Sequence, residues 1–240
     1  MIGSLFKEIF YRPIFNALIV IYNFLPFKDL GLSIILLTIV VRLILYPLFR
    51  KSMKHQTIMQ KIQPKVAEIQ KQHKDDKQKQ SEMLMALYRE HNINPFSGIF
   101  LIFLQLPVFI ALYSVFAQTF NQESFQALYP FISAPAGVHQ SLLGLINLHE
   151  SSIILVVVAA VFQFLQGLYS LPPIVQGREL SVTEKAGRQM VYFAPMITLL
   201  IFWRLPSAIA LYWGVSSAFS FVQQLLINRH LSADVRELKK

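Results

Sequence analysis

The sequence predicts an all-α integral membrane protein with five transmembrane helices, and three observations carry that prediction. Of its 240 residues, 54% are hydrophobic and only 15% charged, which leaves no room for a large soluble domain. Apolar runs long enough to cross a bilayer recur along the chain. Lys and Arg fall in blocks between those runs: three in residues 1–30, ten from Arg50 to Arg89, three from Arg178 to Arg188 and four from Arg229 onward, with none at 90–177. Because basic loops stay cytoplasmic, 50–94, 171–189 and the C-terminal tail lie inside and 118–150 outside. That pattern needs an odd number of spans and an external N-terminus.

In chain order, residues 1–30 carry one short apolar segment, 14–25, without a small-residue cleavage site. It is expected to lie in the outer interface as an amphipathic helix with Lys7 and Arg12 on its polar side. An uncleaved signal anchor is the competing reading, and it would turn the ten basic residues of the long loop outward. The first span is 31–50. Residues 51–94 form a cytoplasmic helical hairpin, because Ile58, Ile62, Val66 and Ile69 recur at helical spacing and Met83, Leu84, Leu87 and Tyr88 share a side after a break at Asp75-Asp76. Pro64 starts or kinks the first arm. A solvated charged linker is the plainer alternative.

The second span is 95–117, followed by an external loop at 118–150, a third span at 151–171 and a cytoplasmic loop at 172–189. The fourth span, 190–204, offers fourteen residues before Arg204, about 21 Å of helix against a hydrocarbon core of about 30 Å. Pro206 forces a tight turn into the fifth span, 207–227, and a short tail at 228–240 ends the chain. So short a hairpin thins the bilayer locally, unless Arg204 snorkels outward and the helix extends past it.

Arg42 is the most informative residue, lying inside a nineteen-residue apolar run from Gly31 to Phe49 that carries no other charge. An arginine near the middle of a span costs roughly 2.5 to 3.5 kcal/mol on insertion scales, so intramembrane cations usually mark function. Thr38 and Tyr46, four residues either side, extend a polar stripe that should face protein or water. Snorkelling is the alternative, but Arg42 sits roughly 12 Å inside the basic boundary at Arg50-Lys51. Gln105 beside Pro107, the pair Gln163 and Gln166, and the stripe of Tyr212, Ser216, Ser220 and Gln223 beside Trp213 put further polar groups in the spans. Singly, each is ordinary helix-packing glue; together with Arg42 they suit the lining of a wet cavity.

Four stretches, TIVVRLILYPL, QPKVAEIQKQHKDDKQK, NPFSGIFLIFLQLPVFIALY and YFAPMITLLIFWRLPSAIALYWGVSSAFSFVQQ, resemble in order, over most of residues 31–228, the YidC/Oxa1/Alb3 family of membrane protein insertases. The resemblance implies five helices around a positively charged hydrophilic groove, open to cytoplasm and lipid and closed to the exterior. It makes Arg42 the groove arginine and puts Thr38 and Trp213 at positions that line or gate it. Gln105, Gln163, Gln166 and Tyr212 join the groove by span position and face. The implied function is insertion, and chaperoned folding, of client transmembrane proteins by a multi-pass protein of the bacterial plasma membrane, its C-terminus cytoplasmic. The implied partners are client proteins and the lipid bilayer, with the ribosome and the Sec translocon as further candidates; the groove works in a monomer.

Against the family it resembles, the sequence as read is expected to lack a large extracytoplasmic domain after an initial helix, a lipoprotein cysteine and a long basic tail. Ribosome contact would therefore fall to the hairpin, the 171–189 loop and the short basic end.

No enzyme is expected. The sequence has no phosphate-binding glycine loop, no H-E-x-x-H and no carboxylate pair in the spans, and its six histidines are scattered through loops and ends. The absence of cysteine excludes disulfides, thiolate metal sites and thiol nucleophiles. No cofactor, no metal and no sequence-specific nucleic acid partner are expected. A small transporter would show inverted repeats or paired broken helices, and neither is visible. A chaperone that holds clients without moving them shares every feature with an insertase.

Overall fold

The computed structural model describes residues 2–94, 97–117, 120, 122–171, 180 and 182–237. The chain is mostly helical: α1 (Ile2–Phe6), a π-helical turn (Lys7–Tyr11), α2 (Arg12–Phe24), α3 (Leu30–Ile44), α4 (Tyr46–Gln72), α5 (Lys77–Glu90), α6 (Ser97–Ala117), α7 (Gln122–Phe125), two-residue strands β1 (Ser141–Leu142) and β2 (Ile146–Asn147), α8 (Ile153–Ser170), α9 (Val182–Phe202) and α10 (Ser207–Glu237). Among the described residues, α8 alone is long and apolar enough to cross a bilayer, and α3 with the first part of α4 meets the same measure as a bent pair.

Helix α10 is the hub, packing on α8, α3, α4, α6 and α9. Small residues set the closest approaches: a Cβ at Gly214 would lie 3.4 Å from the Ala159 backbone, and one at Gly167 would lie 3.1 Å from the Val191 side chain. Outward faces stay apolar, with Leu36, Val40 and Leu43 on α3, Phe103 and Leu106 on α6 and Ile197, Leu200 and Ile201 on α9 all exposed.

The N-terminal helix is built into this bundle. Phe15, Leu18, Ile19 and Tyr22, spaced three, one and three apart, are fully buried and join the main core with Ile34, Leu112, Val115 and Ile209. The π-helical turn precedes Pro13, which has no N–H, and there the Arg12 N–H reaches back to the Lys7 carbonyl.

The polar side of α2 is occupied by the connection that follows α6. The Arg12 Nε donates to the Ala127 carbonyl (3.1 Å), its Nη1 pairs with Glu8 (3.0 Å), and its guanidinium stacks on Tyr129. Buried Asn16 donates to the Ala127 carbonyl and accepts from the Tyr129 N–H, and the Tyr22 hydroxyl accepts from the His139 N–H.

Asp29 ties that connection to α3. One carboxylate oxygen caps the helix by accepting from the Leu32 N–H (2.8 Å), and the other accepts from the Leu143 N–H (2.6 Å). The donor lies in the β1–β2 turn, where Leu143 and Gly144 take φ of 53° and 70°. At the far edge of the cap, Ser207 and Ala208 of α10 donate their backbone N–H groups to the Glu150 and Leu148 carbonyls, satisfying a helix start that would otherwise be orphaned.

Where one straight helix over 31–50 is expected, the structure has two. α3 stops at Ile44, α4 starts at Tyr46, and the pair is bent by 63°. The cause is local: Pro47 cannot donate to the Leu43 carbonyl, and it suits the first turn of a new helix.

α4 then runs unbroken through Pro64, where a start or kink was expected, because Ile62 and Val66 on either side dock together on Leu87 and Ile93. Leu84 and Tyr88 join this small hairpin core, whereas Met83, expected on the same side, points outward. Burial pushes the Tyr88 phenol above its ordinary value, so the stability this side chain contributes is present below the phenol range and is lost as pH rises through it. Asp76 caps α5 by accepting from the Lys79 N–H.

Among the described glycines, Gly31 makes the closest approach, against β1, where an added Cβ would fall 2.5 to 2.8 Å from the Leu142 side chain and Cα. Gly31→Ala is therefore expected to destabilise the protein by about 1–3 kcal/mol through overpacking. The check is a lowered midpoint for thermal unfolding in detergent; an unchanged midpoint would mean that the cap is not packed on α3 as described.

Candidate functional site

A cavity of about 940 Å³ lies between α3, α4, α6, α8, α9 and α10. Its lining includes Arg42 and Phe49 from the bent pair, Gln105 and Phe109 from α6, Gln163 and Gln166 from α8, Ala194 and Pro195 from α9, and Trp213, Ser216, Ser217 and Ser220 from α10. Gln63 of the hairpin and Glu184 and Arg188 at the start of α9 line it too, whereas Phe202, Leu205 and Trp213 belong to the end beside the 141–150 cap.

Arg42 is 8% exposed, and its partners within the protein are few. Nε donates to the Ser216 hydroxyl at 3.4 Å, the guanidinium carbon lies 4.6 Å from the centre of the Phe49 ring, and Nη1 is buried without a hydrogen-bond partner among the described residues. Among the described residues no carboxylate pairs with it. Two features offset the missing counter-charge. Arg42 sits in the last turn of α3, where the negative end of the helix dipole favours a cation by about 0.3–1 kcal/mol. The hydroxyls of Ser216, Ser217 and Ser220 line the same cavity, and Tyr212 stands one turn before Ser216.

Five of the seven residues singled out in the sequence, Arg42, Gln105, Gln163, Gln166 and Trp213, line this cavity together. Tyr212 is buried behind the wall and accepts a hydrogen bond from the Gln105 amide. Thr38 is not part of the lining: it is buried, and its hydroxyl donates to the Ile34 carbonyl one turn back. Tyr46 leaves the polar stripe of Thr38 and Arg42 because the helix breaks at Leu45.

Gln163 is a junction. Its Oε1 accepts from the Thr198 hydroxyl at 2.6 Å and from the Trp213 indole N–H at 3.4 Å, joining α8, α9 and α10 across the cavity wall. Trp213 is held further by edge-on contacts with Phe109 and Phe202. Beyond Ser220, buried Gln223 continues the polar face of α10, and neither amide atom has a partner among the described residues.

Sequence reasoning missed Phe49, Thr198, Gln63 and Ser217. The one usable signal is Pro47, which marks a break in the apolar run without fixing where Phe49 lies. Among the described residues no cluster of His, Asp and Glu could hold a metal ion.

A helical bundle that is apolar outside and buries an arginine beside a cavity, with no carboxylate partner among the described residues, has the character of a membrane protein. Comparison with known proteins gives the family. The profile described as "60Kd inner membrane protein" matches residues 20–234. The "Membrane protein insertase YidC" of Wolinella succinogenes is 33% identical over 231 residues, covering 96% of this chain and 39% of the relative. That of Francisella philomiragia is 32% identical over 203 residues, covering 85% of this chain and 33% of the relative. A crystal structure described as an active YidC insertase with its first transmembrane domain resolved aligns with a TM-score of 0.57 at 28% identity, covering 88% of this chain and 45% of that one. The chain belongs to the 60Kd inner membrane protein family, the YidC/Oxa1 family. It spans about two fifths of the Wolinella relative and a third of the Francisella one.

The Gln163 junction can be read optically. With Trp203→Phe leaving Trp213 as the one tryptophan, Gln163→Leu is expected to shift its emission to shorter wavelength, because the indole N–H loses its acceptor. The same change should lower stability by about 1–3 kcal/mol by leaving the Trp213 N–H without its acceptor, while the Thr198 hydroxyl keeps the Ala194 carbonyl. Unchanged emission would place Trp213 elsewhere.

Proposed function

We propose that this protein is a membrane protein insertase and chaperone whose working site is the cavity around Arg42. The observation that carries the proposal is the buried guanidinium, its Nη1 without a hydrogen-bond partner among the described residues, beside a mainly apolar cavity whose lining includes glutamines and serines, in a chain whose relatives are named insertases. Five spans, 31–50, 95–117, 151–171, 190–204 and 207–227, enclose the cavity as a groove open to cytoplasm and lipid. The hairpin at 51–94 and the tail at 228–240 are cytoplasmic; the N-terminus and the 118–150 connection are external. The distribution of Lys and Arg supports that orientation.

A client with one apolar helix and a short polar external segment enters from the cytoplasm, and the polar part lodges near Arg42. Polar side chains there reduce the desolvation cost that bare lipid would impose. One arginine attracts weakly enough to let go. Burial of the client helix in lipid then drives release outward, and for acidic segments the membrane potential adds about 2.3 kcal/mol per charge per 100 mV. The step forms and breaks no covalent bond. The ribosome and the Sec translocon are candidate partners, and one copy of the chain holds the whole site.

The test is reconstitution in liposomes with a single-span client bearing an acidic N-terminal segment, scored by protease protection of that segment. Wild type and Arg42→Lys should insert it. Arg42→Ala should lose about tenfold or more, as expected when a charge-assisted hydrogen bond of about 1.5–3 kcal/mol is removed. Insertion indifferent to Arg42→Ala would take the arginine out of the mechanism, and binding without insertion by wild type would leave a chaperone.

A further inference from the structure

We infer that Phe49 is a positioning residue of this site, which clamps the Arg42 guanidinium so that its Nη edge alone is presented to an oxygen acceptor on the client. The inference rests on the proposed role of Arg42. Its basis is the helix break. In a continuous helix, residues seven apart are separated by about 10.5 Å along the axis, and an arginine side chain leans toward the N-terminus, away from the later residue. Here the 63° bend at Leu45 brings the first turn of α4 back over the end of α3, so that the Phe49 ring centre lies 4.6 Å from the guanidinium carbon of Arg42. Phe49 is itself 7% exposed, so the contact is largely shielded from water.

The remaining geometry gives the clamp a direction. A guanidinium has two faces and a fixed fork of N–H donors. Phe49 covers a face, Ser216 takes the Nε edge, and Nη1 is buried with no partner. Without the ring, an arginine side chain of high rotamer entropy would swing among the serine hydroxyls of α10, and its donors would spread over the lining. With it, the free edge is aimed, and a client carboxylate or backbone carbonyl meets a donor already oriented. A ring also covers the cation without neutralising it, as a carboxylate would, so the charge stays available to the client.

The experiment uses the full chain in liposomes and the acidic single-span client above, comparing wild type, Phe49→Leu, Phe49→Tyr, Arg42→Ala and the double variant Phe49→Leu with Arg42→Ala. Phe49→Leu should lower insertion about fivefold to tenfold, the scale of a partly desolvated cation–π contact, and Phe49→Tyr, which keeps the ring, should restore most of it. In the Arg42→Ala background, Phe49→Leu should add no further loss. A second readout is independent of insertion: with ¹⁵N-labelled arginine, the Arg42 Nε–H resonance, assigned from Arg42→Lys, should be displaced by the ring current in wild type and Phe49→Tyr and return in Phe49→Leu.

If Arg42→Ala inserts normally, the proposed function fails while the resonance still decides whether Phe49 holds the arginine. If Arg42→Ala is defective but Phe49→Leu is not, or Phe49→Leu costs as much without Arg42, or the resonance does not move, the clamp is overturned. Phe49→Met, which keeps volume without a ring, replaces Phe49→Leu if that variant does not accumulate.

Discussion

The structure depends on keeping one positive charge stable among apolar helices without neutralising it. A carboxylate beside Arg42 would be the simplest solution, and the described residues supply none. The charge is instead met by weaker partners: a serine hydroxyl, an aromatic face and the carbonyl end of α3. None cancels a full charge, so Arg42 remains able to bind an acceptor. Breaking the helix just after Arg42 supplies two of those partners at once, the negative end of α3 and Phe49, which makes the Tyr46-Pro47 step as consequential as the arginine itself.

The two ends of the bundle are built differently, and the difference suits the proposed direction of transport. On the side of the 122–150 connection, Asn16, Tyr22 and Asp29 hold the loop backbone through side chain to main chain hydrogen bonds, Gly31 packs on Leu142, and the start of α10 is tied to 148–150. This end is fixed by many short bonds between sequence-distant residues. On the other side, the hairpin has a small core of its own, and of its second helical arm nothing lines the cavity, while Gln63 of the first arm does. The cap can move only by disrupting the main core, whereas the far end of the hairpin is held by a small core of its own.

Much of this was legible in the sequence because charge in an apolar run is expensive. Arg42, Gln105, Gln163, Gln166 and Trp213 were found by asking which polar groups a span would carry only for a reason, and the cavity brings them together. The hairpin arms followed from apolar periodicity. Thr38 escaped that logic because a threonine can satisfy its hydroxyl on its own helix and needs no polar neighbour. The depth at which α2 is buried and the order in the 122–150 cap were not legible, since both arise from contacts more than a hundred residues apart in sequence. The bend after Arg42 had a signal in Pro47, but its angle, and so the position of Phe49, depends on how α4 packs against α6 and α10.

The central claim is that the cavity around Arg42 is reached by water from the hairpin side and sealed on the side of the cap. The chain contains no cysteine, so Ser217→Cys places a single thiol on the cavity wall. The measurement is its modification by a membrane-impermeant maleimide in oriented vesicles of either sidedness. The account predicts labelling when the reagent is on the hairpin side and protection when it is on the cap side. Labelling from the cap side, or protection from both, would contradict it.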